Sequence, residues 1–271
     1  MRKADYVAEL GIRSPVVVTN LPIGTRGIGY RSQSTFDAES GAFLVLAADD
    51  IGFVRELART RLYEAGFPQW DRLKAYQETR TESILFDQVG SVSPSAIQWP
   101  LINTLTAKFM QRKDWRTYFE NHLKMIEDGI RNHSRASAYG FPEQSMRCGL
   151  LCLLRYVETI SAVSGKYLNQ YADRLQRLRE DIKNLAVEGG LDFDRQDPVR
   201  TREIIERHAA HDPSKIDLDE IEKDMVTLAN GLIEPEYKFR INRSPFPSYL
   251  EGHGGVKFPA WQLMFSRKNS D

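Results

Sequence analysis

The chain has 271 residues and a mass of 31.1 kDa, enough to bury a full core as one large domain or two small ones. Lys+Arg and Asp+Glu both number 37, so the net charge is zero, which counts against a dedicated nucleic-acid domain with its usual positive excess. An apolar content of 41% is that of an ordinary globular protein, and two cysteines, Cys148 and Cys152, exclude a secreted disulfide framework.

The first residues, Met1 to Asp5, lack the uninterrupted apolar core of a signal peptide. Asp5 to Leu10 predicts a short helix stopped by Gly11. Pro15 to Thr19 is a β-branched run and predicts a strand. A loop rich in glycine and arginine follows, Gly24 to Arg31. Ala42 to Ala47 predicts a second strand. Asp49 and Asp50 then offer an N-cap for a helix carrying Ile51, Val54, Leu57, Ala58 and Leu62, which Gly66 and Pro68 end. Ser83 to Val89 reads as a third strand.

Ser93-Pro94-Ser95 opens a helical region, and Pro100 predicts a break or kink near Trp99. Asp114 caps an amphipathic helix whose stripe includes Trp115, Tyr118, Phe119, His122, Met125, Ile126 and Ile130. Ser137 to Pro142 reads as a connector. The apolar segment 145–163 is the expected central helix, ended by Gly165; Arg155 and Glu158 interrupt it, so it suits a core and not a bilayer. A helix over 167–187 carries Leu168, Tyr171, Leu175, Leu178, Ile182 and Leu185. After an acidic linker and a shorter helix at 198–210, Asp212-Pro213-Ser214 starts another helix, with Leu218, Ile221, Met225, Leu228 and Leu232, that Pro235 ends.

These last two stripes step by three and four residues, which makes a narrow seam for lengthwise helix packing. Each covers too few turns for an independent coiled coil. The expectation is that the two helices pair with each other, antiparallel, inside one bundle and flank the central helix; the alternative is self-association of two copies. Glu236 to Asn242 alternates like an edge strand, and an aromatic, glycine- and proline-rich tail follows.

The predicted fold is therefore α-dominant α+β: a helical bundle with a small strand-containing N-terminal portion and an extended C-terminal tail. Its parts are residues 1–92, 93–235 and 236–271.

Charge is polarised along this map. Residues 191–236 hold thirteen acids and six bases, whereas 237–271 hold six bases and two acids. Glycines at 24, 27 and 29 with Arg26 and Arg31 suit backbone and guanidinium contact with phosphate. Neither the P-loop order nor the dinucleotide fingerprint is met, so a plain connector is the simpler reading. Lys108, Arg112, Lys113 and Arg116 form a second basic cluster. Lys238, Arg240 and Arg243, interleaved with tail aromatics, form a third. Cations for the backbone and aromatic faces for the bases are what single-strand nucleic-acid binding requires.

His208 and His211 stand three apart and could both face a metal, although no motif supplies a third ligand. Glu236-Tyr237-Lys238 has the Glu-x-Lys form of metal-dependent nucleases. The stretch Ser244 to Gly254 resembles the Pro-Ser-x-x-Gly-His segment of acid phosphatases and vanadium haloperoxidases. That resemblance implies a phosphate-holding role for His253, but Glu251 stands where the family has serine. His122 reads as a core histidine, and Cys148 and Cys152 as buried structural thiols.

No catalytic set closes, and no cofactor is implied. The expected function is a non-enzymatic subunit or adaptor of a larger assembly, with protein partners, possible self-association and nucleic-acid contact through basic ends. The alternatives are a nucleic-acid-binding protein acting alone and a metal-dependent hydrolase or nuclease using His208, His211, His253 or Glu236. The expected setting is cytoplasmic, without a membrane.

Overall fold

A computed structural model of the chain describes residues 3–20, 32–37, 40–47, 49–72, 80–136, 143–167, 169–188, 198–210, 212, 215–233, 236–243 and 260–267. The expected connector at 137–142, the acidic linker and the Gly24 to Arg31 loop lie outside these residues, as does the phosphatase-like stretch with His253.

Within them the fold is helix-dominant α+β. Helix α1, Lys3–Glu9, ends at Gly11, whose φ of 65° lies in the left-handed region that glycine enters freely. Strands β1, Val16–Asn20, β2, Ser32–Asp37, and β3, Ala42–Ala47, form one sheet in the order β1-β3-β2. β1 runs parallel to β3, with Val16 opposite Phe43, and β2 runs antiparallel to it. Helix α2, Asp50–Glu64, begins where Asp49 accepts from the Gly52 amide at 2.6 Å. Its Phe53, Val54 and Leu57 meet Val45 and Leu10 in a small core over the sheet. At its far end Glu64 accepts from the Arg13 and Ser14 amides at 3.0 and 2.6 Å, which ties the entry to β1.

Strand β4, Gln69–Arg72, leads to helix α3, Arg80–Thr106. This corrects the expected strand at Ser83 to Val89 and the expected start at Ser93. Leu85, Phe86, Val89, Ala96, Ile97, Leu101 and Ile102 are all buried, at spacings that fit a helix packed on several sides. Helix continues through Pro94 and Pro100. Burial against neighbours offsets what each proline removes, about 3 kcal/mol per interior proline.

Helix α4, Arg112–Ala136, starts with Asp114 reaching back to the Gln111 amide at 2.8 Å, a reciprocal cap. Helix α5, Glu143–Tyr167, runs through Gly165 to Tyr167. After a 3-10 turn, Asn169–Tyr171, come α6, Ala172–Glu188, α7, Pro198–Ala210, and α8, Leu218–Asn230. The last begins five residues later than the Pro213 signal implies, because Asp217 is the N-cap and accepts from the Asp219 and Glu220 amides at 2.9 and 3.1 Å.

α5 is the central helix, and it is buried on two sides. One core joins its Cys148 and Cys152 to α3, to Ile204 and Ile205 of α7, and to Ile221, Met225 and Leu228 of α8. The other joins its Leu150, Leu154, Val157 and Ile160 to α4 and to Leu175, Leu178 and Ile182 of α6. The two seams therefore lie in different cores and do not pair with each other, which corrects the expected joint. Charged flanks assign each its neighbour. Arg174 of α6 binds Glu120 and Glu127 of α4 at 2.9 and 2.6 Å, and Arg179 binds Glu158 of α5 at 2.7 Å. Asp224 of α8 instead binds His208 and Arg207 of α7.

The chain closes on a second sheet, ordered β4-β6-β5, from β5, Tyr237–Asn242, and β6, Ala260–Arg267. β5 is the edge strand the alternation predicted. β6 lies between its antiparallel neighbour β5 and its parallel neighbour β4, with Gln69 opposite Ala260. Phe239, Trp261 and Leu263 are buried in the first of the two cores. The described parts of the tail are thus structural strands. Among the described residues no helix is long and apolar enough to cross a membrane.

Candidate functional site

Two features stand out: a cavity between helices and an exposed basic helix face. The cavity, about 580 Å³, lies among α3, α4 and α5. From α3 it is lined by Ile84, Gln88, Val92, Ser95 and Trp99, which step by three and four residues along one face. From α5 come Gly149, Cys152, Leu153 and Tyr156, again one face. Met125 of α4 completes the lining and is 50% exposed. Among the described lining residues no side chain is charged.

Aromatic rings stiffen the inner end. Trp99 and Tyr156 meet edge to face at 5.0 Å, Trp99 lies 5.2 Å from the His122 ring, and Tyr118 meets His122 at 4.2 Å. The Tyr156 hydroxyl pairs with His122 Nδ1 and lies 3.8 Å from Met125 Sδ. Burial pushes the Tyr156 phenol far above the usual range, and the neighbouring Tyr118 adds to this, so it remains a neutral hydroxyl. Behind this layer the Arg55 guanidinium stacks over Tyr118 at 4.5 Å and donates to Asn103, whose Nδ2 donates to the Tyr118 hydroxyl at 3.4 Å. His122 is a satisfied core histidine, as its place on the stripe implied.

The thiols of Cys148 and Cys152 are free and buried, with sulfurs 4.0 Å apart. Next to them Arg155 donates to the Thr201 hydroxyl at 2.8 Å. Burial lowers its pKa to about 10, with Cys152 and Glu158 working the other way, so it stays charged at neutral pH.

The predicted basic sites separate. Arg26 and Arg31 lie outside the described residues. Lys108 is engaged by Glu9, whose backbone oxygen lies at 2.9 Å and carboxylate at 3.1 Å. Arg243 is held by Asp219 at 2.6 Å, by Glu222 and by the Leu218 carbonyl at 2.9 Å, and it stacks over Trp261 at 4.7 Å. It is thus a structural clamp between β5 and α8. Arg240 is half-buried, and Lys238 is exposed on the edge strand opposite Ser266. Arg112, Lys113 and Arg116 remain together on the first turns of α4, exposed.

Farther along α4 the exposed Lys124 and Arg135 join Lys113 on one side of the helix. None of these five cations takes part in an ion pair among the described residues. The acids on the same helix are occupied: Glu120 and Glu127 by Arg174, Asp128 by Arg131 at 3.1 Å, and Asp114 by the Gln111 amide.

His208 is buried, and its Nε2 pairs with Asp224 Oδ2 at 2.9 Å. That contact gives it a structural partner; His211, the other half of the alternative metal pair, lies outside the described residues. Burial alone would raise the Asp224 pKa, but the hydrogen bonds from His208 and Arg207 outweigh it and leave the carboxyl below its ordinary value. Glu236 accepts from Gln144 at 3.0 Å, and the strand beside Lys238, β6, carries no acid to complete a nuclease-type set. Among the described residues no three His, Cys, Asp or Glu side chains converge as metal ligands.

The cavity went unnoticed in the sequence because its α3 wall was divided between an expected strand and a proline break. Gly149, an isolated glycine inside a helical pattern, was the available signal. Comparison with protein-family models, with curated proteins and with solved structures finds no match for the chain.

Proposed function

We propose that this chain is a non-enzymatic subunit of a larger assembly that docks single-stranded nucleic acid on the outer face of α4. The observation that carries this reading is the group of exposed cations Arg112, Lys113, Arg116, Lys124 and Arg135, without ion pairs among the described residues, while Glu120, Glu127 and Asp128 of the same helix are paired with arginines. Arg112 and Lys113 also sit at the helix N-terminus, where the macrodipole is positive and each cation costs about 0.3–1 kcal/mol. A cost of that kind is offset when a phosphate backbone binds there. Two reduced, buried thiols accord with a cytoplasmic setting.

Fluorescence anisotropy with a labelled single-stranded oligonucleotide tests this. Affinity is expected to fall steeply with salt, and the variant Arg112→Gln/Lys113→Gln/Arg116→Gln to flatten the slope of log K against log salt by about 2. Absent or salt-independent binding overturns the reading. Light scattering after size exclusion tests assembly, and a strict monomer with no partner overturns that part.

A further inference from the structure

We infer that the cavity among α3, α4 and α5 is a binding site for a neutral, largely apolar aromatic molecule. At about 580 Å³ it falls within the ~300–1,000 Å³ range of small-molecule sites. Its described lining carries no charged group, so a charged ligand would find no counter-charge among these residues to compensate its lost hydration. Its chemistry selects an aromatic guest. Trp99 and Tyr156 are already packed edge to face and offer ring surfaces, while Met125 and Cys152 bring sulfurs that pack favourably against aromatic rings. Ser95 and Gln88 add uncharged polar groups of the kind that orient a guest.

Two observations point to a space that the sequence keeps open. Gly149 stands in its α5 wall, and among the described residues a Cβ there would press only on Gln88 Nε2 at 3.2 Å, the flexible end of a side chain that must give way slightly before a longer side chain can project into the cavity. Met125, at 50% exposure, leaves a flexible thioether at the entrance instead of a sealed apolar contact. The inner end, by contrast, is fixed by the Tyr156–His122 pair and the ring stacking behind it. A rigid floor with a yielding rim suits a guest that enters past Met125 and stops against Trp99.

The test uses the full-length protein and the neutral fluorophore N-phenyl-1-naphthylamine. Saturable, blue-shifted emission at one probe per chain is expected. Gly149→Leu is expected to weaken it at least tenfold while circular dichroism and the melting profile stay native. In a Cys148→Ser background, bound probe is expected to slow alkylation of Cys152 by monobromobimane at least fivefold, a readout that decides the matter should Gly149→Leu fail to fold. No saturable binding by the folded protein, many probes per chain, or binding without Cys152 protection each overturn the assignment. So does undiminished affinity in a folded Gly149→Leu.

Discussion

Asp224 places a carboxylate between two helices, where His208 reaches it at 2.9 Å and Arg207 at 2.5 Å. Replacing the carboxylate by an amide leaves the buried His208 and the exposed Arg207 with a neutral oxygen in place of a charged acceptor. Asp224→Asn is therefore expected to cost about 2 kcal/mol, which for a chain of this size lowers the melting temperature by roughly 4–8 °C. The pH dependence has a definite sign. Because the folded carboxyl titrates below its ordinary value, its contribution is present above the usual carboxylate range and is lost as pH falls through the folded pKa. The stability gap between wild type and Asp224→Asn, measured by denaturant titration at a series of pH values, should close in acid. A gap that persists there contradicts the assignment. Arg243 follows the same logic on the surface: a residue that reads as a nucleic-acid contact by composition is taken by Asp219, Glu222 and Trp261 once the chain folds.

Helix starts are the most local of the structural devices here. Asp49 and Asp217 each satisfy backbone amides of their first turns, so Asp49→Ala and Asp217→Ala should each cost about 1 kcal/mol, read as a shifted denaturation midpoint. Such signals were legible: β1, β3, α2, α7 and β5 fall where residue type and spacing place them. Failures came where tertiary burial overrode a local rule. Pro94 and Pro100 read as punctuation, yet α3 is surrounded closely enough for helix to persist through both. The seams of α6 and α8 are visible in the sequence as seams, but period alone carries no address. Their partners were chosen by flanking charges, Arg174 with α4 and Asp224 with α7. β4 is four residues long and depends on β6 far along the chain, a pairing no local pattern announces. Of the candidate sites, Arg112, Lys113 and Arg116 are nameable from the sequence, whereas Lys124 and Arg135 join them only through the helix they share, and the cavity requires stripes on separate helices to face one another.

α5 contributes to both main cores, so neither can be emptied without disturbing the other. The molecule should melt as one unit. Met225→Ala, in the core with α8, and Ile182→Ala, in the core with α6, are each expected to destabilise by about 2–5 kcal/mol while leaving a single calorimetric transition. Two separated transitions in either variant would show that the cores are independent. Trp261→Ala, at the centre of the second sheet, should act on that same transition.

β6 has a consequence in time as well as in space. It lies in the middle of its sheet, yet it is paired in parallel with β4, made about 190 residues earlier, and in antiparallel with β5. On a ribosome, β4 and β5 must emerge and wait, each with an unfilled hydrogen-bonding edge, until the strand between them is synthesised. The chain thus completes its core only after translation has passed residue 267, and until then Phe239 lacks the wall that Trp261 and Leu263 provide. A chain truncated before β6 should be markedly more sensitive to protease than the full 271-residue chain, and it is before β6 is made that a chaperone would have most to hold.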